Sequence, residues 1–123
     1  MFDLTGKVAV VTGGTGVLGS VMCKGLAAAG AKVAVLGRRE EVAQKVADKI
    51  TAAGGTAMAL PADVTDKDSC QAAADALVAA WGTIDILVNA AGGNQPGATI
   101  GPDESFCDKF STEAFDQITK LNL

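Results

Sequence analysis

The stretches VAVV within Lys7–Thr12 and VAVL within Lys32–Leu36 are apolar without a break. A strand with one wet face alternates polar and apolar side chains. An unbroken short run of small and β-branched residues instead fits a strand covered on both faces, as in a parallel sheet flanked by helices. Between the two runs lies Gly16–Ala29, with Val17, Leu18, Val21, Met22, Leu26 and Ala29 close to helical spacing and Gly30 as a stop. Parallel neighbours need a crossover of this kind, so the pair of runs already commits the chain to a strand–helix–strand unit.

The same alternation continues. Arg38–Ala53 sets Val42, Val46 and Ile50 four apart on one helical face and ends at Gly54. Thr56–Leu60 (TAMAL) is a third strand, weaker by propensity. Thr65–Ala80 is a third helix, with Thr65 as its expected N-cap, Asp68 in its first turn and Gly82 past its end. Thr83–Asn89 (TIDILVN) is a fourth strand, residues 91–110 form a polar Gly/Pro-punctuated loop, and Ser111 or Thr112 caps a last helix. The expected fold is a three-layer α/β domain, a doubly wound parallel sheet of Rossmann-like type, with strands ordered 3-2-1-4 and residues 1–123 forming one domain.

The junction after the first strand reads TGGTGVLG, residues 12–19, and it decides the function class. Each glycine costs about 1 kcal/mol relative to alanine in regular structure, so four at one junction need a purpose. Gly14-x-Gly16-x-x-Gly19, following a strand and opening a helix, is the spacing at which a tight turn lets a pyrophosphate meet backbone N–H groups and the positive helix end. Residues Gly13, Gly14, Thr15, Gly16, Val17, Leu18 and Gly19 are therefore candidates for holding dinucleotide phosphates. A tight turn without a ligand is the competing reading.

At the end of the second strand an acid would read the ribose hydroxyls of NAD. Gly37 stands there instead, followed by Arg38 and Arg39. Two cations at a helix N-terminus oppose the helix dipole by roughly 0.3–1 kcal/mol each. A 2′-phosphate would reverse that sign, with guanidinium forks as donors, so NADP(H) is favoured and NAD(H) is the alternative. A solvated basic pair balanced by Glu40 and Glu41 is the plainer account.

These residues together resemble the N-terminal half of the short-chain dehydrogenase/reductases, over all 123 residues. The resemblance implies that Asp63 and Val64 contact the adenine. It implies that Asn89, Ala90, Ala91 and Gly92 form the motif that steadies the sheet and lines the cofactor ribose. It also implies that Asn122, in KLNL, holds a water in the proton relay and is the catalytic residue present. The glycine spacing departs from the commonest TGxxxGxG pattern of the single-domain branch, since Val17 stands where that pattern has glycine. The stretch AGGNQPGAT, residues 91–99, looks like the fructuronate reductase or D-mannonate oxidoreductase subgroup.

That family completes its site with a Ser and a Tyr-x-x-x-Lys pair farther along. The 123 residues contain no Tyr and no His, so the C-terminal, catalytic half is missing and this piece alone is expected to be inactive. The expected parent enzyme interconverts a carbonyl and a secondary alcohol on a small sugar acid. A 3-oxoacyl thioester reductase and a non-catalytic dinucleotide-binding module are the alternatives. A net charge of −4 gives no support to a nucleic-acid or membrane partner. Three widely spaced cysteines, Cys23, Cys70 and Cys107, fit reduced thiols in a cytoplasmic protein, and no metal site is expected. Ile86–Val88 would form an apolar sheet edge, so association is expected for this piece, and the resemblance implies a homo-dimer or tetramer for the whole enzyme.

Overall fold

A computed structural model describes residues 2–92 and 112–122, without the side chains of residues 115, 121 and 122. The chain divides into two compact units, Met1–Ala90 and Ala91–Leu123.

The first unit is a four-stranded parallel sheet with helices on both faces. Strands β1 (Val8–Thr12), β2 (Lys32–Gly37), β3 (Thr56–Pro61) and β4 (Ile86–Asn89) alternate with helices α1 (Val17–Ala28), α2 (Glu40–Ala52) and α3 (Lys67–Trp81). The spatial order is β3-β2-β1-β4, as the alternating pattern predicts. Val8 pairs with Lys32, Ala9 with both Val33 and Ile86, Thr12 with both Leu36 and Asn89, and Gly37 with Pro61. Strand ends 12, 36 and 89 therefore lie side by side at one rim.

The period of two in β1 and β2 sends their apolar side chains to opposite faces, and both faces are filled. Ala9, Val11, Val33 and Val35 pack with Cys23 of α1 and with Ala43, Val46, Ala47 and Ile50 of α2. Val8, Val10, Ala34, Leu36 and Leu60 pack with Ala73 and Leu77 of α3. Removing each such valine or leucine from water stabilises the fold by about 1.5–3 kcal/mol, which makes these layers the main source of cohesion.

Four local expectations are corrected. Helix α1 does not use Val17, Leu18 and Val21 as its core stripe: they are 90%, 65% and 60% exposed, and the buried residues are Gly19 and Cys23. The small pair, one turn apart, lets the helix backbone come closer than a valine stripe would allow. Second, the N-cap of α3 is Asp66, not Thr65: its carboxylate accepts from the N–H of Asp68 at 3.0 Å and of Ser69 at 3.4 Å. Thr65 instead donates its hydroxyl to Asp63 at 2.7 Å. Third, α2 begins at Glu40, behind Arg39 as N-cap.

The fourth concerns β4, which starts at Ile86 rather than Thr83. Ahead of it, Asp85 accepts the Val8 N–H on its carboxylate at 2.9 Å while its own N–H donates to the Val8 carbonyl at 2.9 Å. That side chain extends the ladder between β1 and β4 by one rung. Ile86 and Val88 pack against the α1 and α2 layer, whereas Leu87 is 59% exposed on the other face.

The second unit contains helix α4 (Thr112–Asn122), with Glu113 in its first turn and Lys120 in its last, both favourable to the helix dipole. The expected loop is described only at residues 91 and 92, and the expected cap at Ser111 lies outside the described residues.

Candidate functional site

All the candidate residues of the first unit gather at the carboxyl rim of the sheet. β1 is flanked by β2 on one side and β4 on the other, so the order reverses at β1, where open α/β sheets form their ligand crevice.

The glycine turn is built from three different requirements. Gly13 adopts φ +67°, in the left-handed region that side-chain-bearing residues rarely adopt. Gly14 is walled in: a Cβ there would stand 2.9 Å from Val35 Cγ1 and 3.1 Å from the Val11 carbonyl oxygen. Its N–H donates to the Leu36 carbonyl at 3.2 Å, tying the turn to the end of β2. Gly19, in α1, faces the turn so closely that a Cβ would overlap the Gly13 carbonyl oxygen. Helix α1 is thus seated directly on the turn that precedes it.

The N-terminus of α1 is left open to an anion. Gly16 caps it in an extended conformation with no side-chain cap, and no acidic residue occupies the first turn. The Gly16 carbonyl receives its first helical bond from Ser20 at 2.8 Å, so the N–H groups of Val17, Leu18 and Gly19 have no intrahelical acceptor. Val17 and Leu18 thus enter the candidate site through their backbone, while their side chains point to solvent.

Beside this turn, Thr15 lies over Gly37 at the end of β2. Arg38 and Arg39 follow and are exposed, and among the described residues neither forms an ion pair with Glu40 or Glu41. At the end of β3, Ala62 donates its N–H to the Gly37 carbonyl at 3.0 Å, which carries the pairing one residue farther and delivers Asp63 and Val64 to the rim. Asp63 is held from several sides. Its N–H meets the Ser69 hydroxyl at 2.9 Å, and one carboxylate oxygen accepts from the Thr65 N–H at 2.9 Å.

Thr12 joins β1 to the residues after β4. Its hydroxyl donates to the Val88 carbonyl at 3.4 Å and accepts the Ala90 N–H at 3.1 Å, and the Thr12 carbonyl lies 3.2 Å from the same N–H. This fixes Asn89 and Ala90 at the rim. An apolar groove of about 340 Å³ runs between α3 and the β1–β4 rim, with Val64, Leu87 and Asn89 among its walls. Ala91 and Gly92 belong to the second unit, and the side chain of Asn122 lies outside the described residues.

The contribution of Asp85 escaped sequence reasoning, which placed it within the strand expected over Thr83–Asn89. Its acceptor role depends on Val8, far away in the chain, and no local signal marks it.

A family model described as short chain dehydrogenase matches residues 7–123. The chain belongs to that family. It is 51% identical over 96 residues to an uncharacterized oxidoreductase UxuB of Bacillus subtilis, covering 78% of this chain and 34% of the relative. It is 37% identical over 122 residues to D-threitol dehydrogenase of Mycolicibacterium smegmatis, covering 99% of this chain and 44% of the relative. Among solved structures, a candidate D-mannonate oxidoreductase from Haemophilus influenza with bound NAD superposes with a TM-score of 0.89 at 31% identity, over 98% of this chain and 46% of that one. A metagenomic short-chain oxidoreductase in complex with NADP superposes at 0.81 with 34% identity, over 98% of this chain and 51% of that one. The chain thus spans about half the length, or less, of these proteins.

Proposed function

We propose that residues 1–123 form the cofactor-holding half of a short-chain oxidoreductase that prefers NADP(H) and interconverts a carbonyl with a secondary alcohol on a small sugar acid such as fructuronate or mannonate. The observation that carries this reading is the convergence of the glycine turn, the open α1 N-terminus, Arg38 and Arg39, Asp63 and Asn89 on one rim. A Cβ at Gly14 or Gly19 would collide with the protein itself, so these glycines let the turn and α1 pack tightly enough to aim the α1 N-terminus at a pyrophosphate.

The bound nicotinamide would supply the hydride. The chain's own contribution is to bind and orient. N–H groups of residues 17–19 hold the pyrophosphate, Arg38 and Arg39 take the 2′-phosphate, Asp63 and Val64 receive the adenine, and Asn89, Ala90, Ala91 and Gly92 line the ribose. Asn122 holds a relay water in this reading, and residues beyond Leu123 provide the acid and base. D-Threitol dehydrogenase and the candidate D-mannonate oxidoreductase support a polyhydroxylated substrate. Neighbours holding NAD and NADP support a nicotinamide dinucleotide, and Arg38 and Arg39 favour the phosphorylated form.

Assaying the full-length protein with NADPH against fructuronate and an acetoacetyl thioester tests the substrate. Turnover of fructuronate alone supports the proposal; turnover of the thioester alone replaces it with the acyl reading. Dinucleotide binding without turnover of either replaces it with the binding module. Among the described residues no helix is long and apolar enough to cross a membrane. The proposal includes a cytoplasmic homo-oligomer, which sedimentation of the full-length protein checks.

A further inference from the structure

Gly37 is a glycine with no backbone reason to be one. Its φ lies outside the positive range, unlike Gly13, Gly30, Gly54 and Gly82. It is buried, and the alternation along β2 puts it on the same face as Val33 and Val35, the face over which the glycine turn passes. The three atoms nearest to the space of its missing side chain all belong to Thr15. A Cβ at position 37 would stand 2.7 Å from Thr15 Cγ2, 3.2 Å from Thr15 Oγ1 and 3.6 Å from Thr15 Cβ.

Rotation of Thr15 relieves this crowding only in part. The side chain places two γ atoms in three staggered positions, and two of those positions face residue 37. At least one γ atom therefore remains against residue 37 in every rotamer. Shifting the whole turn is opposed by the Gly14 N–H bond to the Leu36 carbonyl and by the burial of Gly14 against Val35.

We propose that Thr15 is a specificity-determining residue: by filling the room of a side chain at position 37, it bars an acidic ribose reader from the end of β2 and leaves the ribose 2′ position to Arg38 and Arg39. Thr15 and Gly37 act as one steric pair, so neither sets the preference by itself. This rests on the dinucleotide reading of the rim, but the steric pairing does not, and the two are tested separately.

The pairing is read first without cofactor, by thermal unfolding of full-length wild type, Gly37→Ala, Thr15→Ala and the double variant. Gly37→Ala alone lowers the midpoint by about 3 °C or more, and in the Thr15→Ala background the same change is neutral or raises it. Additive shifts overturn the proposal.

The preference is then read by equilibrium titration of NADH and NADPH into folded Gly37→Asp and Thr15→Ala/Gly37→Asp proteins. Gly37→Asp alone loses affinity for both cofactors, and adding Thr15→Ala restores NADH binding by about tenfold or more while NADPH stays weak. Tight NADH binding by Gly37→Asp alone, or no recovery in the double variant, overturns it. If the wild type binds neither dinucleotide, the dinucleotide reading fails and the role in preference falls with it, while the unfolding cycle still reports the steric pair.

Discussion

Alanine at position 19 and alanine at position 25 are the same chemical change on the same helix, and the structure assigns them opposite signs. Gly25 is exposed and a Cβ there meets nothing within 4 Å. Gly25→Ala should therefore gain the helix preference of alanine, about 0.5–1 kcal/mol. At Gly19 the same preference is outweighed. A Cβ would overlap the Gly13 carbonyl oxygen and lie 2.8 Å from the Gly13 carbonyl carbon and 3.0 Å from Gly14 Cα. All three atoms are backbone, in a turn fixed by the φ of Gly13 and by the Gly14 bond to Leu36, so no side chain can swing aside. Overpacking costs of about 1–3 kcal/mol apply at the upper end, for a net loss near 2 kcal/mol. Equilibrium urea unfolding of the full-length protein, followed by circular dichroism, should separate the two variants by about 3 kcal/mol. Gly19→Ala should also weaken dinucleotide binding, because the amides of the α1 N-terminus move with the helix. A Gly19→Ala protein as stable as wild type would refute the seating of α1 on the turn.

Thr12→Val keeps the shape but removes the hydroxyl that accepts from Ala90; because the Thr12 carbonyl still meets that N–H, the loss should be about 1 kcal/mol in urea unfolding, with Thr12→Ser retaining most of it. Asp85→Ala leaves the Val8 N–H without its acceptor and should cost about 1–2 kcal/mol, reported as faster amide exchange at Val8. Burial pushes the Cys23 thiol from 9.0 up to about 11, so the folded state keeps its proton longer than the unfolded chain. The contribution of this thiol is accordingly unchanged below pH 9 and falls by about 2–3 kcal/mol as pH rises from 9 to 11, a part of the decline that Cys23→Ala should remove.

The layered fold was legible because its signals are local. VAVV and VAVL announce strands covered on both faces, and Val46 and Ile50 announce the inner face of α2, which Ala43 and Ala47 complete where the spacing pointed to Val42. Position at the rim was legible too, since the turn residues follow β1 directly. The face of α1 was not, because periodicity weighs Val17, Leu18 and Val21 above glycine and cysteine, whereas close approach selects the smallest residues. Asp85 and the Thr15–Gly37 pair were illegible for a different reason: each is a contact between residues distant in the chain, and nothing in either partner's neighbours encodes it. The cap of α3 was missed by one residue because Thr65 and Asp66 are both good caps, and Asp63 had already engaged the threonine.

In the proposed function, this rim holds a nicotinamide dinucleotide with its 2′-phosphate on the Arg38 and Arg39 side. Fluorescence titration of the full-length protein with NADPH and NADH, repeated on Arg38→Ala, tests it most directly. NADPH should bind more tightly, by about tenfold or more, and the variant should lose that advantage through weaker NADPH binding with NADH unchanged. Binding of neither cofactor, tighter binding of NADH by the wild type, or equal losses for both cofactors in Arg38→Ala would contradict it.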